Sequence, residues 1–397
     1  MRPRLLVLAS TFPGRPGDGT PEFVSDLARR EAEHFDTLVL VPSVSGSAPR
    51  ERDGRMAVRR FRYFPRRWET LADGAIIENL RQRPARWLQV VPFIVAEALT
   101  TLWAVRRLRP DVVHAHWIVP QGLVATVCAP RTPRLITTLG GDLYALDGPL
   151  MRRVKRWVVR RAGHVTVMNE EMRRRVLDLG ARPDQVSVMP MGADLSGVVP
   201  RVDRPGGHVR LLFVGRLVEK KGLEVLLTAL RSVDADISLT VIGDGPLRAD
   251  LERQARGLPV TFVGQRGRTA LRHAYAEADV VVVPSVPAAS GDQDGLPVVL
   301  LEAMGTGCAV VASDLAGIDE AVRDGVDGVL TPPGDAVRLA QAIDSLAGDP
   351  ERRAELGRAA RDRAASFSAD AVGARYVDLL RTLTEGARTR HRRGGTA

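Results

Sequence analysis

The strongest constraint on how this chain can fold is a grammar it uses twice. RLLVLAS (4–10) opens the first half and VRLLFVG (209–215) the second. Each is a short apolar run leading into a glycine-bearing loop, then a helix-like segment, then another apolar run. In the first half these are EFVSDLARREAEHF and DTLVLVP; in the second, GLEVLLTALRSV and ISLTVIG. Similar runs recur at DVVHAHW (111–117), RLITTLG (134–140), VTVMN (165–169), VTFVG (260–264), DVVVVPS (279–285) and AVVAS (309–313). A strand that is apolar along its whole length is buried on both faces, and helices between such strands make the sheet parallel. The pattern predicts an α/β protein of two doubly wound Rossmann-like domains facing a cleft. The first domain spans 1–195 and the second 206–368. MGADLSGVVPRVDRPGGH (191–208), rich in Gly, Pro and charge, links them. Residues 369–388 are expected as a helix packing back on the first domain, and 389–397 as a basic disordered tail.

The 397 residues suit two domains of ordinary size, and 45% hydrophobic content is enough for two cores. Cys128 and Cys308, far apart and in apolar surroundings, read as buried free thiols. The apolar run at the start, Leu5 to Ala9, is too short for a signal peptide and ends in a Phe-Pro-Gly turn. The longest apolar stretch, WLQVVPFIVAEALTTLWAV (87–105), is interrupted by Pro92 and Glu97. The expected location is cytoplasmic, with a peripheral membrane contact on the inner face. The net charge of +10 is uneven: residues 50–67 hold eight arginines against two acids. Nucleic acid is disfavoured as partner because no nucleic-acid module pattern appears. An anionic membrane surface fits better, since the apolar 87–105 stretch follows, and the alternative is a plain solvated arginine-rich face.

In open parallel sheets, ligands bind outside the carboxyl ends of the strands. The loops there are Phe12–Thr20, Gly140–Asp142, Gly215–Gly222, Gly243–Gly245 and Asp292–Pro297, all glycine-bearing. Glycine allows positive φ and lets backbone approach a ligand closely. GRLVEKKG (215–222) places Arg216, Lys220 and Lys221 beside a strand end. It lacks Walker A spacing, but its cations suit a diphosphate. GDGPLR (243–248) lacks the third glycine of a dinucleotide fingerprint, which disfavours a nicotinamide dehydrogenase. In DGLPVVLLEAM (294–304), Pro297 suits the first turn of a helix, whose amino end forms an anion site. Asp294 lies just before that helix and Glu302 in its second turn. Carboxylates pair well with vicinal hydroxyls, so the two acids bracket an anion with a sugar on either side: a nucleoside diphosphate sugar. The competing reading makes Asp294 a turn residue and Glu302 a structural partner.

Taken together, these segments resemble the retaining glycosyltransferases of family 4, which have the two-domain GT-B fold. The carriers are GRLVEKKG, VIGDGPLR, VTFVGQRG, DGLPVVLLEAMGTGCAVVAS and AGIDEAVRDGVDGVLTPPGD, with FPGRPGDGTPEFV and PDVVHAHWIVPQG in the first half. The resemblance implies that Arg216 and Lys221 hold the donor diphosphate and stabilise the leaving nucleotide. It makes Glu302 the ribose partner and Asp294, where the family more often has Glu, a donor-sugar contact. Gly215 and Gly243 line the donor loops, and backbone N–H groups of Gly295, Leu296, Pro297's successor Val298 and their turn hold sugar or phosphate. Gln265 and Arg266 lie near the base, and Gly19 approaches the donor from the first domain. Asp142 is expected at a polar contact near the acceptor and His116 on the acceptor side of the cleft, while His114 faces a structural hydrogen bond. The family's His-Gly-x-Asp is here LGGD, with Leu139 in place of the histidine, which puts one donor-sugar contact in question. No metal or other cofactor is expected. Of the two DxD matches, DAD (234–236) falls in a connection and DQD (292–294) beside a loop already rich in cations. The implied reaction is metal-independent, retaining transfer to a hydroxyl-bearing or other nucleophilic acceptor, either a small molecule or a lipid-linked glycan. The alternatives are a non-catalytic nucleotide-sugar-binding subunit and a nucleotide-sugar epimerase of the same fold.

Overall fold

The computed structural model describes the chain apart from residues 1, 16–19, 21, 75, 77–78, 81–82, 145–146, 200–206, 290–293 and 395–397, and apart from the side chains beyond 387. The chain divides into two compact units, Met1–Pro190 with Val372–Ala397, and Met191–Ala371.

The first unit carries an eight-stranded sheet in the order β3-β4-β2-β1-β5-β6-β7-β8. Its strands are β1 (Arg4–Leu8), β2 (Asp36–Pro42), β3 (Arg50–Asp53), β4 (Met56–Phe61), β5 (Val112–His116), β6 (Arg134–Thr137), β7 (His164–Val167) and β8 (Val186–Val188). β3 pairs antiparallel with β4, while the other neighbours are parallel. The β3–β4 hairpin lies in the arginine-rich segment that the sequence suggested only as a charged face. Met56 and Val58 give β4 a buried side, and Phe61 is buried on the opposite face. Arg60 is buried too, and donates to Glu51 Oε1 at 3.1 Å and to the Pro13 carbonyl at 2.6 Å. A buried guanidinium needs such partners, because desolvating an unpaired charge is costly.

The second unit carries a six-stranded parallel sheet, β11-β10-β9-β12-β13-β14. The strands are β9 (Val209–Val214), β10 (Ile237–Ile242), β11 (Val260–Gly264), β12 (Val280–Val283), β13 (Ala309–Ser313) and β14 (Val329–Thr331). Successive side chains of a strand point to opposite faces. Val280 and Val282 accordingly join one core, with Leu211, Phe213 and Ile343, while Val281 and Val283 join the other, with Leu300, Leu301 and Met304. Covering both faces is what demands the unbroken apolar runs.

The last helix, Ala369–Gly394, belongs to the first unit from Val372 onward. Tyr376 is buried there, 5.6 Å from the His114 ring, and its hydroxyl donates to the Met189 carbonyl at 3.1 Å. The helix continues past Arg388 to Gly394, through residues the sequence suggested as a disordered tail. Arginine is a strong helix former, and the basic run prolongs the helix. Both cysteines are buried and neither forms a disulfide.

Candidate functional site

In the second unit, β9 ends at Val214 and the chain turns through Gly215–Gly222. Gly222 has φ of 66°, and a Cβ there would stand 1.7 Å from the Pro284 carbonyl oxygen. At Gly243, φ 145°, a Cβ would fall 1.8 Å from the Gly215 carbonyl oxygen, and at Gly245, 2.4 Å from that of Leu217. The loops are also stitched by backbone bonds. Leu217 N–H donates to the Asp244 carbonyl at 2.9 Å and Val286 N–H to that of Lys220 at 2.9 Å. These glycines therefore let one loop lie against another. The sequence suggested ligand approach as their purpose; the contact that the structure places at these positions is backbone on backbone.

That stitching carries Lys221 and Lys220 to a distant acid. Lys221 Nζ lies 2.8 Å from Asp294 Oδ2, and Lys220 Nζ lies 3.7 Å from Oδ1. Ser285 donates to Oδ2 at 2.9 Å. Asp294 itself is almost wholly buried. Just beyond it, the helix Val298–Thr306 begins, with Pro297 as its N-cap at φ −66° and ψ 126°, one position outside the first turn that the sequence suggested. Leu296 and Val298 anchor the start of the helix by packing on the core, and Gly295 precedes them. Arg216 is exposed on the same loop as the lysines.

Glu302, farther along that helix, accepts from the Tyr275 hydroxyl at 2.9 Å. Burial pushes its carboxyl above the usual range; the Tyr275 bond and then the nearby Arg268 draw it back in part. Arg268 and Arg272 also clamp Asp194, at 2.7 and 3.0 Å. Gln265 and Arg266 are exposed on the loop after β11, which joins the Gly243 loop through a 3.0 Å bond from Gly243 N–H to the Gly264 carbonyl. The structure thus brings together Gly215, Lys221, Asp294 and Gly243 on interlocked loops of one sheet end, with Glu302 on the helix that follows. Sequence reasoning missed Lys220's contact with Asp294 and the roles of Ser285, Tyr275, Asp194, Arg268 and Arg272. Only the i, i+4 spacing of Arg268 and Arg272 offered a signal. Gly19 and Asp292 lie outside the described residues.

Two first-unit expectations change. Asp142 is buried, and its carboxylate accepts from Ile118 N–H at 2.5 Å and from Thr138 Oγ1 at 2.6 Å. It ties two loops together, which accounts for an acid there without any substrate contact. His116 is fully buried rather than on an open face. It lies against the His114 ring at 4.2 Å, and neither of its nitrogens has a hydrogen-bond partner. The cause is strand period: His114 and His116 share one side of β5, and His114 meets Glu31 of the helix Phe23–His34. His114 is held between Glu31 Oε1 and Thr137 Oγ1, both at 2.7 Å, a structural pairing. Burial pushes His114 down to about 3, His116 well down, and Glu31 well up, so in each of the three it favours the neutral form.

Elsewhere in the first unit, a cleft of about 200 Å³ opens at the carboxyl end of β1, lined in part by Ser10, Arg15, Ser45 and Asp73. Among the described residues no three His, Cys, Asp or Glu side chains gather as a metal site. Asp236 of the DAD match pairs instead with His208 at 3.0 Å.

Residues 208–349 match the family model described as glycosyl transferases group 1, and residues 18–192 the glycosyl transferase 4-like domain. The chain is 32% identical to a glycogen synthase of Mycobacterium tuberculosis over 66% of each sequence. The chain spans about half to two thirds of the length of the leading curated relatives it matches. Among solved structures, it is similar to sucrose-phosphate synthase from Thermosynechococcus elongatus, with TM-score 0.78 and 21% identity over 97% of this chain and 100% of that one. It is also similar to Anabaena HepE in complex with UDP-glucose, with TM-score 0.70 and 19% identity over 96% and 99%. These likenesses show the fold: two α/β domains of GT-B type, each built on a mainly parallel sheet.

Proposed function

This chain belongs to the group 1 glycosyltransferases, and from that premise we propose that it transfers a sugar from a nucleoside diphosphate sugar to a hydroxyl-bearing acceptor with retention of configuration. The observation that carries the reading is the meeting of Lys220 and Lys221 with Asp294 at the amino end of the Val298–Thr306 helix. On this reading one diphosphate sugar uses all three: the cations, the helix dipole and the acid. As donor enters, Lys221 exchanges its carboxylate partner for phosphate, and Asp294 turns to the donor sugar's hydroxyls. Glu302 accepts from the ribose hydroxyls. Gln265 and Arg266 border the base, and the turn from Gly295 to Val298 supplies backbone donors.

In the reaction, the bond from the anomeric carbon to the phosphate oxygen breaks and a bond to the acceptor oxygen forms on the same face. The acceptor's proton passes to the leaving phosphate oxygen. Arg216 and Lys221 stabilise the charge that develops there, so no metal is required. The cleft beside β1, with Arg15 and Asp73, is the acceptor pocket on this reading.

A thermal-shift panel of nucleotide sugars tests the donor, since a ligand of the native state raises its midpoint by mass action. UDP-glucose is the first compound to try, because a structural neighbour binds it. The expected result is a shift with one nucleotide family, then diphosphate release that needs acceptor, survives EDTA and gives the donor's own anomer by NMR. No shift with any nucleotide or nucleotide sugar overturns the proposal. Leu139, half-buried where the family has histidine, favours one second reading, a non-catalytic binding subunit. That protein shifts with donor yet releases no diphosphate with any acceptor.

A further inference from the structure

The helix Val90–Leu108 is apolar on its outer as well as its inner face. Its buried positions are Phe93, Glu97, Thr101 and Ala104, a face that includes a carboxylate and a hydroxyl. Ahead of the exposed Arg106 and Arg107, its exposed positions are apolar: Val91 is 68% exposed, Val95 50%, Leu99 62% and Trp103 43%. With Leu88, 75% exposed, they recur at three- and four-residue spacing and so form one stripe along the outside. A soluble surface helix carries polar residues on that outer face. The stretch Pro84–Leu108 has the length and hydropathy to cross a bilayer, yet its inner face packs on the first unit, so it lies along the surface instead.

The surroundings of the stripe are cationic. Segment 83–109 contains Arg83, Arg86, Arg106, Arg107 and Arg109, and its single acid, Glu97, is the residue turned inside. Arg59 lies over the Trp103 ring at 3.9 Å. Arg67 lies over the half-exposed Trp68 at 4.0 Å, on a loop tied to the start of the helix by Gln89, which accepts from Thr70 N–H and Leu71 N–H. Tryptophan and arginine at both ends of an apolar stripe match the depth profile of a membrane interface, with rings at the headgroups and guanidinium groups on phosphates. A second protein copy fits poorly, because it would set this arginine-rich rim against its own like.

We propose that the outer stripe of the Val90–Leu108 helix, with Trp68, Trp87 and the flanking arginines, docks the first unit flat on an anionic lipid surface.

The test is co-sedimentation of the full chain with phosphatidylcholine vesicles, with and without phosphatidylglycerol. Binding is expected only with phosphatidylglycerol and is expected to weaken as salt rises. Val95→Asp with Leu99→Asp, and separately Arg106→Glu with Arg107→Glu, are each expected to lower partitioning about tenfold or more. All four side chains are exposed, so the variants keep the fold, which circular dichroism and an unchanged nucleotide thermal shift verify. Equal binding to both vesicle types, or variants that bind as the parent does, overturns the proposal. So does light scattering that shows a dimer which the Asp variants dissociate, since the stripe is then covered by a second copy.

Discussion

Lys221 Nζ stands 2.8 Å from Asp294 Oδ2 across 73 residues of sequence, and Ser285 holds the same oxygen. This pairing sets the first prediction. Lys221→Ala leaves Asp294 with Lys220 and Ser285, so the melting midpoint moves little. Diphosphate release, in contrast, loses a cation aimed at the leaving group and is expected to drop by about 10²-fold or more. Arg216→Ala is expected to do the same. Steady-state assays of both variants decide it; near-parent turnover in both removes the cationic loop from the mechanism.

A second prediction separates loop packing from ligand contact. Gly222→Ala sets a methyl 1.7 Å from the Pro284 carbonyl oxygen, on a left-handed backbone, and Gly243→Ala does likewise against Gly215. Neither clash is with a flexible side chain, so the loops must part. Each variant is expected to lose about 2–4 kcal/mol in chemical denaturation and to bind donor poorly. Gly267→Ala, with nothing within 4 Å of its Cβ and no left-handed φ, is the control and is expected to behave as the parent. Parent-like stability at both crowded positions would falsify the interlocked-loop description.

The third concerns pH. Burial raises the Glu302 carboxyl, and the Tyr275 hydroxyl is the largest influence lowering it. Ribose binding needs the carboxylate, so donor affinity is expected to rise with pH through an inflection above the usual carboxylate range. Tyr275→Phe removes the stabilising bond, moving that inflection upward and weakening affinity most on the acid side. Donor titrations across pH measure it. An inflection unmoved in Tyr275→Phe shows that Glu302 is not the group being titrated.

What the sequence reveals, and what it hides, follows from how far apart the interacting residues lie. β12 and β13 are legible because valine and alanine runs satisfy two cores at once. The β3–β4 hairpin hides because its buried Met56, Val58 and Phe61 are interspersed with arginines, one of them buried. In the site, Lys221, Asp294 and Glu302 are readable as types suited to phosphate and sugar. Their partners are not, because Ser285 and Tyr275 are ordinary residues made relevant only by packing. Asp142 and His116 are misread for the same reason. A polar residue near a strand end looks like a ligand contact until a partner such as the Ile118 amide for Asp142, or full burial as for His116, is seen.

The last prediction uses the acid that the Val90–Leu108 helix turns inside. Burial pushes the Glu97 carboxyl up to about 8; Gln121 is near enough to lower it in part, but neither oxygen has a hydrogen bond of normal geometry. In the unfolded chain the group ionises near 4.5, as an ordinary glutamate does. Between those two values the folded state holds a proton that the unfolded state has lost. Stability therefore falls as pH rises across this window, and below about 4.5 the penalty is absent. Glu97→Gln keeps the shape and removes the titration. At pH 5 its stability is expected within about 0.5 kcal/mol of the parent, and at pH 8 it is expected to exceed the parent by about 2 kcal/mol, less than the full shift implies because water and relaxation soften such penalties. All five tryptophans, Trp68, Trp87, Trp103, Trp117 and Trp157, lie in the first unit, so fluorescence-monitored urea unfolding reports on the unit that contains Glu97. Parent and variant curves that stay parallel from pH 5 to 8 would mean that Glu97 reaches water, and that the inner face of the helix is not closed.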